Sequence, residues 1–152
     1  MKTKKSFSNW AKWEGKNSLK NKYYPGVYAI AYSALDLSGK KFSWIKKIVY
    51  IGMTNSQNGL NSRLDQFYNG VRGKGGHGGA DRFRYKFPDY KKLMKKLYFA
   101  ICPFICDVTS NSIKDLRIMG KVTEFEYVSF AEYVKRFGEL PEFNNKKKSP
   151  KK

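Results

Sequence analysis

The stretch Gly26-Val27-Tyr28-Ala29-Ile30-Ala31-Tyr32, answered by Ile48-Val49-Tyr50-Ile51-Gly52-Met53, decides the fold. Both runs are short, apolar and rich in β-branched and aromatic residues. Pro25 punctuates the chain before the first, and a polar Leu37-Ser38-Gly39-Lys40 connection separates the two. That pattern predicts two antiparallel strands of one sheet. Side chains alternate between the faces of a strand, so Tyr28 is expected to share a face with Ile30 and Tyr32, and Tyr50 with Ile48 and Gly52. Both tyrosines then look out on a common side.

Working outward, Thr54-Asn55-Ser56-Gln57-Asn58-Gly59 is turn and cap chemistry, and Leu60, Leu64, Phe67 and Tyr68 recur at helical spacing, predicting a helix of about ten residues. Residues 70–79 form a glycine-rich basic loop with Arg72, Lys74 and His77. Its backbone could approach a phosphate closely, but it lacks the G-K-[ST] ending of a Walker loop. A short helix around 80–87, a lysine-rich segment with Lys91, Lys92, Lys95 and Lys96, and a third strand at 97–101 follow. Residues 112–137 read as mainly helical, with Gly120 as a possible break and 122–125 as a possible extended stretch. Before the first strand, Trp10, Trp13, Tyr23 and Tyr24 lie among lysines in a basic aromatic arm, residues 1–24; residues 146–152 read as a disordered basic tail. The expectation is one small α+β domain over 25–145, a three-stranded antiparallel sheet flanked by helices.

Composition narrows the partner. The chain has 152 residues, with 31 Lys plus Arg against 12 Asp plus Glu, a formal net charge of +19. At 41% hydrophobic and 16% aromatic residues it has far more core-forming material than a disordered basic tail. A field of that sign attracts polyanions, and neutralising phosphates releases counterions. Nucleic acid is favoured over an acidic membrane surface because no long basic amphipathic helix is evident. No apolar run reaches a membrane span, and the residues after Met1-Lys2-Thr3-Lys4-Lys5 are polar, so a cytoplasmic protein of a bacterial or phage-infected cell is expected. Cys102 and Cys106 have no second cysteine pair and a single histidine for company, which reads as reduced thiols in preference to a zinc site.

Three pieces of the chain resemble one family jointly. Gly26-Val27-Tyr28 and Tyr50-Ile51-Gly52 are similar to the paired signature of the GIY-YIG endonucleases, the first with Val for Ile. Leu60-Asn61-Ser62-Arg63-Leu64 supplies an arginine that fits the family's helix arginine. Glu132, followed twelve residues later by Asn144 in Pro141-Glu142-Phe143-Asn144, resembles the helix glutamate and its Pro-x-x-Asn segment. The resemblance covers about 26–144. Two departures stand out: the 22-residue step from Tyr28 to Tyr50 is longer than in many members, and Phe67 stands where some carry a histidine. His77 could take over that polar role.

The resemblance implies a divalent-metal-dependent endonuclease acting on DNA, double-stranded by expectation, as a monomer or a homodimer. It assigns Glu132 as the protein ligand of one Mg²⁺ or Mn²⁺ ion, a hard cation suited to carboxylate oxygen. Tyr28, helped by Tyr50, would position or deprotonate the attacking water; a free phenol has a pKa of about 10, so such a base must be depressed by nearby cations. Arg63 would clamp phosphate oxygens through its planar fork of donors, and Asn144 would order the site beside Glu132. Arg72, Lys74, Lys91, Lys92 and Lys95 are the expected contacts to the nucleic-acid backbone.

Blander readings stand beside these. Each tyrosine taken singly is an ordinary strand residue, Arg63 an ordinary solvated helix residue, and His77 an ordinary exposed loop histidine. Glu124 and Glu126 are rivals to Glu132. Helical geometry puts Glu132 at the edge of an apolar stripe of Val128, Ala131, Val134 and Phe137, and the spacing to Asn144 favours it. The alternatives to a DNA endonuclease are a non-catalytic basic nucleic-acid-binding module on the same fold and an RNA-directed nuclease.

Overall fold

The structure, a computed structural model, describes residues 5–145; the tail at 146–152 and the first four residues of the arm lie outside the described residues. Its strands are β1 (Gly26–Tyr32), β2 (Ile48–Thr54) and β3 (Leu97–Pro103), and its helices α1 (Gly59–Val71), α2 (Gly78–Lys86), α3 (Tyr90–Met94) and α4 (Ile113–Phe137). One antiparallel sheet in the order β2-β1-β3 lies between α1 and α2 on one face and α4 on the other. The fold is α+β, as the two strand runs predict. α4 is unbroken through Gly120 and 122–125, because the burial of Val122 and the half-burial of Phe125 against the sheet reward helical spacing over local β-propensity.

Strand β1 is buried along nearly its whole length. Its even residues, Tyr28 and Ile30, meet Leu60, Leu64, Phe67, Ala80 and Phe83 of α1 and α2. Its odd residues, Val27, Ala29 and Ala31, meet Val122 and Tyr133 of α4. In β2 the alternation slips: Tyr50 pairs with Ile30, but Ile48 pairs with Ala31. This irregularity turns Ile48 to the α4 face, away from Tyr50, where strict alternation would have kept the two together.

Both sheet edges are covered. Along β3, Ser8 donates its N–H to Ile101 O (2.7 Å), and Ala11 and Phe99 exchange two backbone bonds of 2.9 and 2.8 Å. Residues 5–24 are thus woven into the fold, and their backbone also starts α1: Leu60 N–H donates to Tyr24 O (2.9 Å) and Asn61 N–H to Lys22 O (2.7 Å). These bonds satisfy helix-end donors for which no side-chain cap is present. Along β2, Asn144 Oδ1 accepts from Ile51 N–H (2.8 Å) and Asn144 Nδ2 donates to Ile51 O (2.9 Å), standing in for a neighbouring strand. Cys102 is buried and Cys106 half-buried, both as free thiols. Among the described residues no helix is long and apolar enough to cross a membrane.

Candidate active site

The strand alternation brings Tyr28 and Tyr50 to the same face, with ring centroids 6.1 Å apart. Two glycines make the packing possible. Gly52 lies opposite Tyr28 in the β1–β2 register, and a Cβ there would fall 2.4 Å from the Tyr28 hydroxyl oxygen. Gly79 on α2 lies against the other ring, where a Cβ would come within 2.5 Å of Tyr50 Cζ. The glycine of Tyr50-Ile51-Gly52 is therefore the space into which the Tyr28 phenol folds, and Gly79 lets the α2 backbone rest on Tyr50.

His77 is not an exposed loop residue. It is 2% exposed and stands at the N-cap of α2, where Nδ1 accepts the Ala80 N–H at 3.1 Å. Burial, with the Arg63 charge second, pushes its pKa down to about 3, so the ring is neutral at ordinary pH. A neutral imidazole whose Nδ1 accepts must carry its proton on Nε2. Nε2 lies 2.8 Å from the Tyr28 hydroxyl and donates to it. Phe67, in the helix position where a histidine was the alternative, packs edge-on against the His77 ring at 5.5 Å. The polar group comes from α2 and its apolar support from α1.

Tyr28 is wholly buried. Burial, then the neighbouring Tyr50, raise its pKa well above the ordinary phenol value, and the Arg63 charge and hydrogen bond only oppose this. The expectation of a Tyr28 depressed by cations is thus corrected: Tyr28 rests as a neutral phenol out of contact with water. Tyr50 is half-buried. Burial, the largest cause, holds its pKa above the ordinary phenol value as well, with Glu126 adding to the rise and the Arg63 and Arg82 charges opposing it. His77 thus holds the Tyr28 hydroxyl, and Tyr50, the more exposed phenol, lies beside that ring.

Arg63, on α1, donates to Gln66 Oε1 at 2.7 Å and acts on Tyr28, Tyr50 and His77 together. The carboxylate in this group is Glu126. It is half-buried on α4; burial raises its pKa, and Arg63 is the charge that opposes the rise. Glu126 in turn acts on both tyrosines.

Glu132 is elsewhere. It pairs with Arg136 at 3.1 Å and lines a different surface cavity with Phe7, Phe42 and Trp44. The apolar stripe used to place it is also reassigned. Val128, Ala131 and Val134 are exposed, and the seam of α4 that meets the sheet runs through Ile118, Val122, Phe125, Ser129 and Tyr133. Glu126, one turn from Val122, borders that seam. Sequence periodicity could not choose between the stripes because a serine sits in the buried one. Asn144 orders the site through Ile51, between Tyr50 and Gly52, and not through Glu132.

Among the expected backbone contacts, Lys74, Lys91, Lys92 and Lys95 are exposed. Arg72 is half-buried: its guanidinium lies 4.5 Å over the Tyr68 ring and donates to Asn69 Oδ1 at the end of α1. Arg82, which no sequence motif marks, acts on both Tyr50 and His77. Among the described residues no three His, Cys, Asp or Glu side chains form a metal-binding group. A lone, half-buried carboxylate fits a hard divalent cation that keeps most of its waters, and does not fit a soft or multi-ligand metal.

No family model, no curated protein and no solved structure matches the chain, so its assignment rests on these side chains.

Proposed function

We propose that the protein is a divalent-metal-dependent DNA endonuclease of the GIY-YIG type, working in the cytoplasm on double-stranded DNA. One observation carries the reading: two phenols share one sheet face, a buried histidine bonds the inner one, and an arginine and a half-buried carboxylate act on both, in a chain of charge +19. A binding module has no use for a buried histidine–phenol pair set beside a second phenol.

Phosphodiester hydrolysis needs an activated water, neutralisation of charge at phosphorus, and stabilisation of the departing alkoxide. Tyr50 Oη, on the less buried of the two phenols, is the best placed oxygen to accept a hydrogen bond from that water and orient it for attack, while the water's proton leaves to solvent. Tyr28 thereby becomes a positioning residue behind Tyr50, and His77 holds Tyr28 without itself taking a proton. Arg63 neutralises non-bridging oxygens. Glu126 would hold the Mg²⁺ or Mn²⁺ ion, which when bound supplies Lewis-acid stabilisation of the phosphate and the leaving oxygen.

Incubation of supercoiled plasmid with the protein at low salt, with Mg²⁺ or with chelator, should give metal-dependent nicking or linearisation. Plasmid that is bound but stays intact would identify a non-catalytic binding module. Parallel digestion of duplex DNA, single-stranded DNA and RNA tests the DNA assignment, and faster cutting of RNA would overturn it.

A further inference from the structure

The site has a second cation that the family resemblance does not provide. Arg82 stands three residues after Gly79 on α2, so the two share a helix face. Gly79 is the point where α2 rests on the Tyr50 ring. Arg82 therefore projects from beside Tyr50, on a helix that packs against the one carrying Arg63.

Its guanidinium is largely unused. Nη1 reaches the Phe143 carbonyl at 3.5 Å, the outer limit of a hydrogen bond, leaving most of its five donors without a partner among the described residues. The acidic neighbour at that end, Glu142, is held by Lys86 at 2.5 Å, one turn along the same helix. Among the described residues neither Arg63 nor Arg82 has an ion-pair partner within 4 Å; the three ion pairs are Lys16–Asp65, Lys86–Glu142 and Arg136–Glu132. Two arginines from adjacent helices thus both act on one phenol, with Glu126 the half-buried carboxylate that acts on the same ring. An anion bound over that phenol would meet both cations, and phosphate oxygens match their planar donor forks.

We propose that Arg82 and Arg63 form a two-sided clamp for a single phosphate, and that Arg82 is a substrate-contacting residue that holds the phosphodiester over Tyr50. The clamp rests on the nuclease reading for its substrate, a polynucleotide phosphate, but its anion site can be measured without any cleavage.

His77 is the only histidine in the chain, so its imidazole gives a single unambiguous NMR signal beside the clamp. Titration of the full chain with inorganic phosphate should shift that signal saturably. Arg82→Gln should weaken phosphate binding about 10- to 100-fold, the size of a lost hydrogen-bonded charge. Arg82→Lys should restore part of the loss, and Arg84→Gln, an exposed control on the same helix, should cause no loss. With duplex DNA as substrate, Arg82→Gln should raise KM or lower kcat while Arg84→Gln leaves both within about twofold. Phosphate binding that depends on Arg82 in a protein that cuts no nucleic acid would support the clamp and refute the nuclease. Cleavage with unchanged KM and kcat in Arg82→Gln, together with unchanged phosphate titration, would refute the clamp and leave the nuclease standing.

Discussion

The two faces of the sheet are built from alternate residues of the same strands, and they have been put to different uses. The α4 face is a packing surface: Val27, Ala29, Ala31 and Ile51 meet Val122 and Tyr133, with Phe7, Phe42 and Trp44 closing over the end. The α1/α2 face packs as tightly, with Phe67 edge-on to Phe83 at 5.0 Å and Phe83 stacked on Phe143 at 3.9 Å. Yet into that apolar wall it sets Tyr28 and His77, bonded to each other at 2.8 Å, with Tyr50 beside both rings. Burying polar groups is costly unless they are paired, and the histidine and the buried phenol here satisfy each other while Tyr50 keeps partial exposure. The lesson is that aromatic rings line both faces of the sheet, and what sets the α1/α2 face apart is the histidine–phenol pair buried in it.

The strongest way to break this contrast uses two glutamates on one helix. Glu126→Gln should lower metal-supported cleavage at least about 100-fold, the scale of a lost charge-stabilising group, whereas Glu132→Gln on the packing face should stay within about twofold of wild type. Quantitative plasmid nicking measures both; equal losses would mean that the faces are not functionally distinct.

Acid should then discriminate the faces through stability. His77 has a folded pKa of about 3, depressed from an unfolded value of about 6.5. Its contribution is fully present above about pH 6.5 and is lost as pH falls toward 3, at up to about 1.4 kcal/mol per pH unit. Urea melts at pH 7 and pH 5 should show wild type losing about 2 kcal/mol more than His77→Gln, which has no titrating ring. The same loss in both proteins would remove the neutral, buried imidazole from the site.

The smallest effects come from glycines. Gly52→Ala drives a methyl group into the Tyr28 phenol and should cost about 1–3 kcal/mol. Gly120→Ala, in the interior of α4 with nothing within 4 Å of the new Cβ, should stabilise by about 0.5–1 kcal/mol. Thermal melts of the two variants should therefore move in opposite directions.

Much of the site was legible from local pattern. The two strand runs place Tyr28 and Tyr50 on one face because alternation is a property of every strand, and helical spacing from Leu60 to Tyr68 brings Arg63 near them. Asn144 was legible as an ordering residue, though its partner, the Ile51 backbone, was not. Glu126 lost to Glu132 because the choice depended on which of two stripes of α4 is buried. His77 and Arg82 were hidden for the same kind of reason. A glycine-rich loop gives no sign that its histidine will cap a helix, and nothing in Gly78-Gly79-Ala80-Asp81-Arg82 shows that Gly79 will lie on a tyrosine ring.

By itself, then, the sequence determined the three strands, their antiparallel pairing, the shared face of the tyrosines and a net charge of +19. These follow from the period of a strand, the chemistry of turns and the sum of charges, all of which are local or additive. Only the tertiary structure decided which carboxylate and which second arginine act electrostatically on the tyrosines, which phenol keeps partial exposure, and which residue the histidine bonds. Those depend on residues far apart in the chain meeting in a low-dielectric interior, where contact and burial set the charge state of each group.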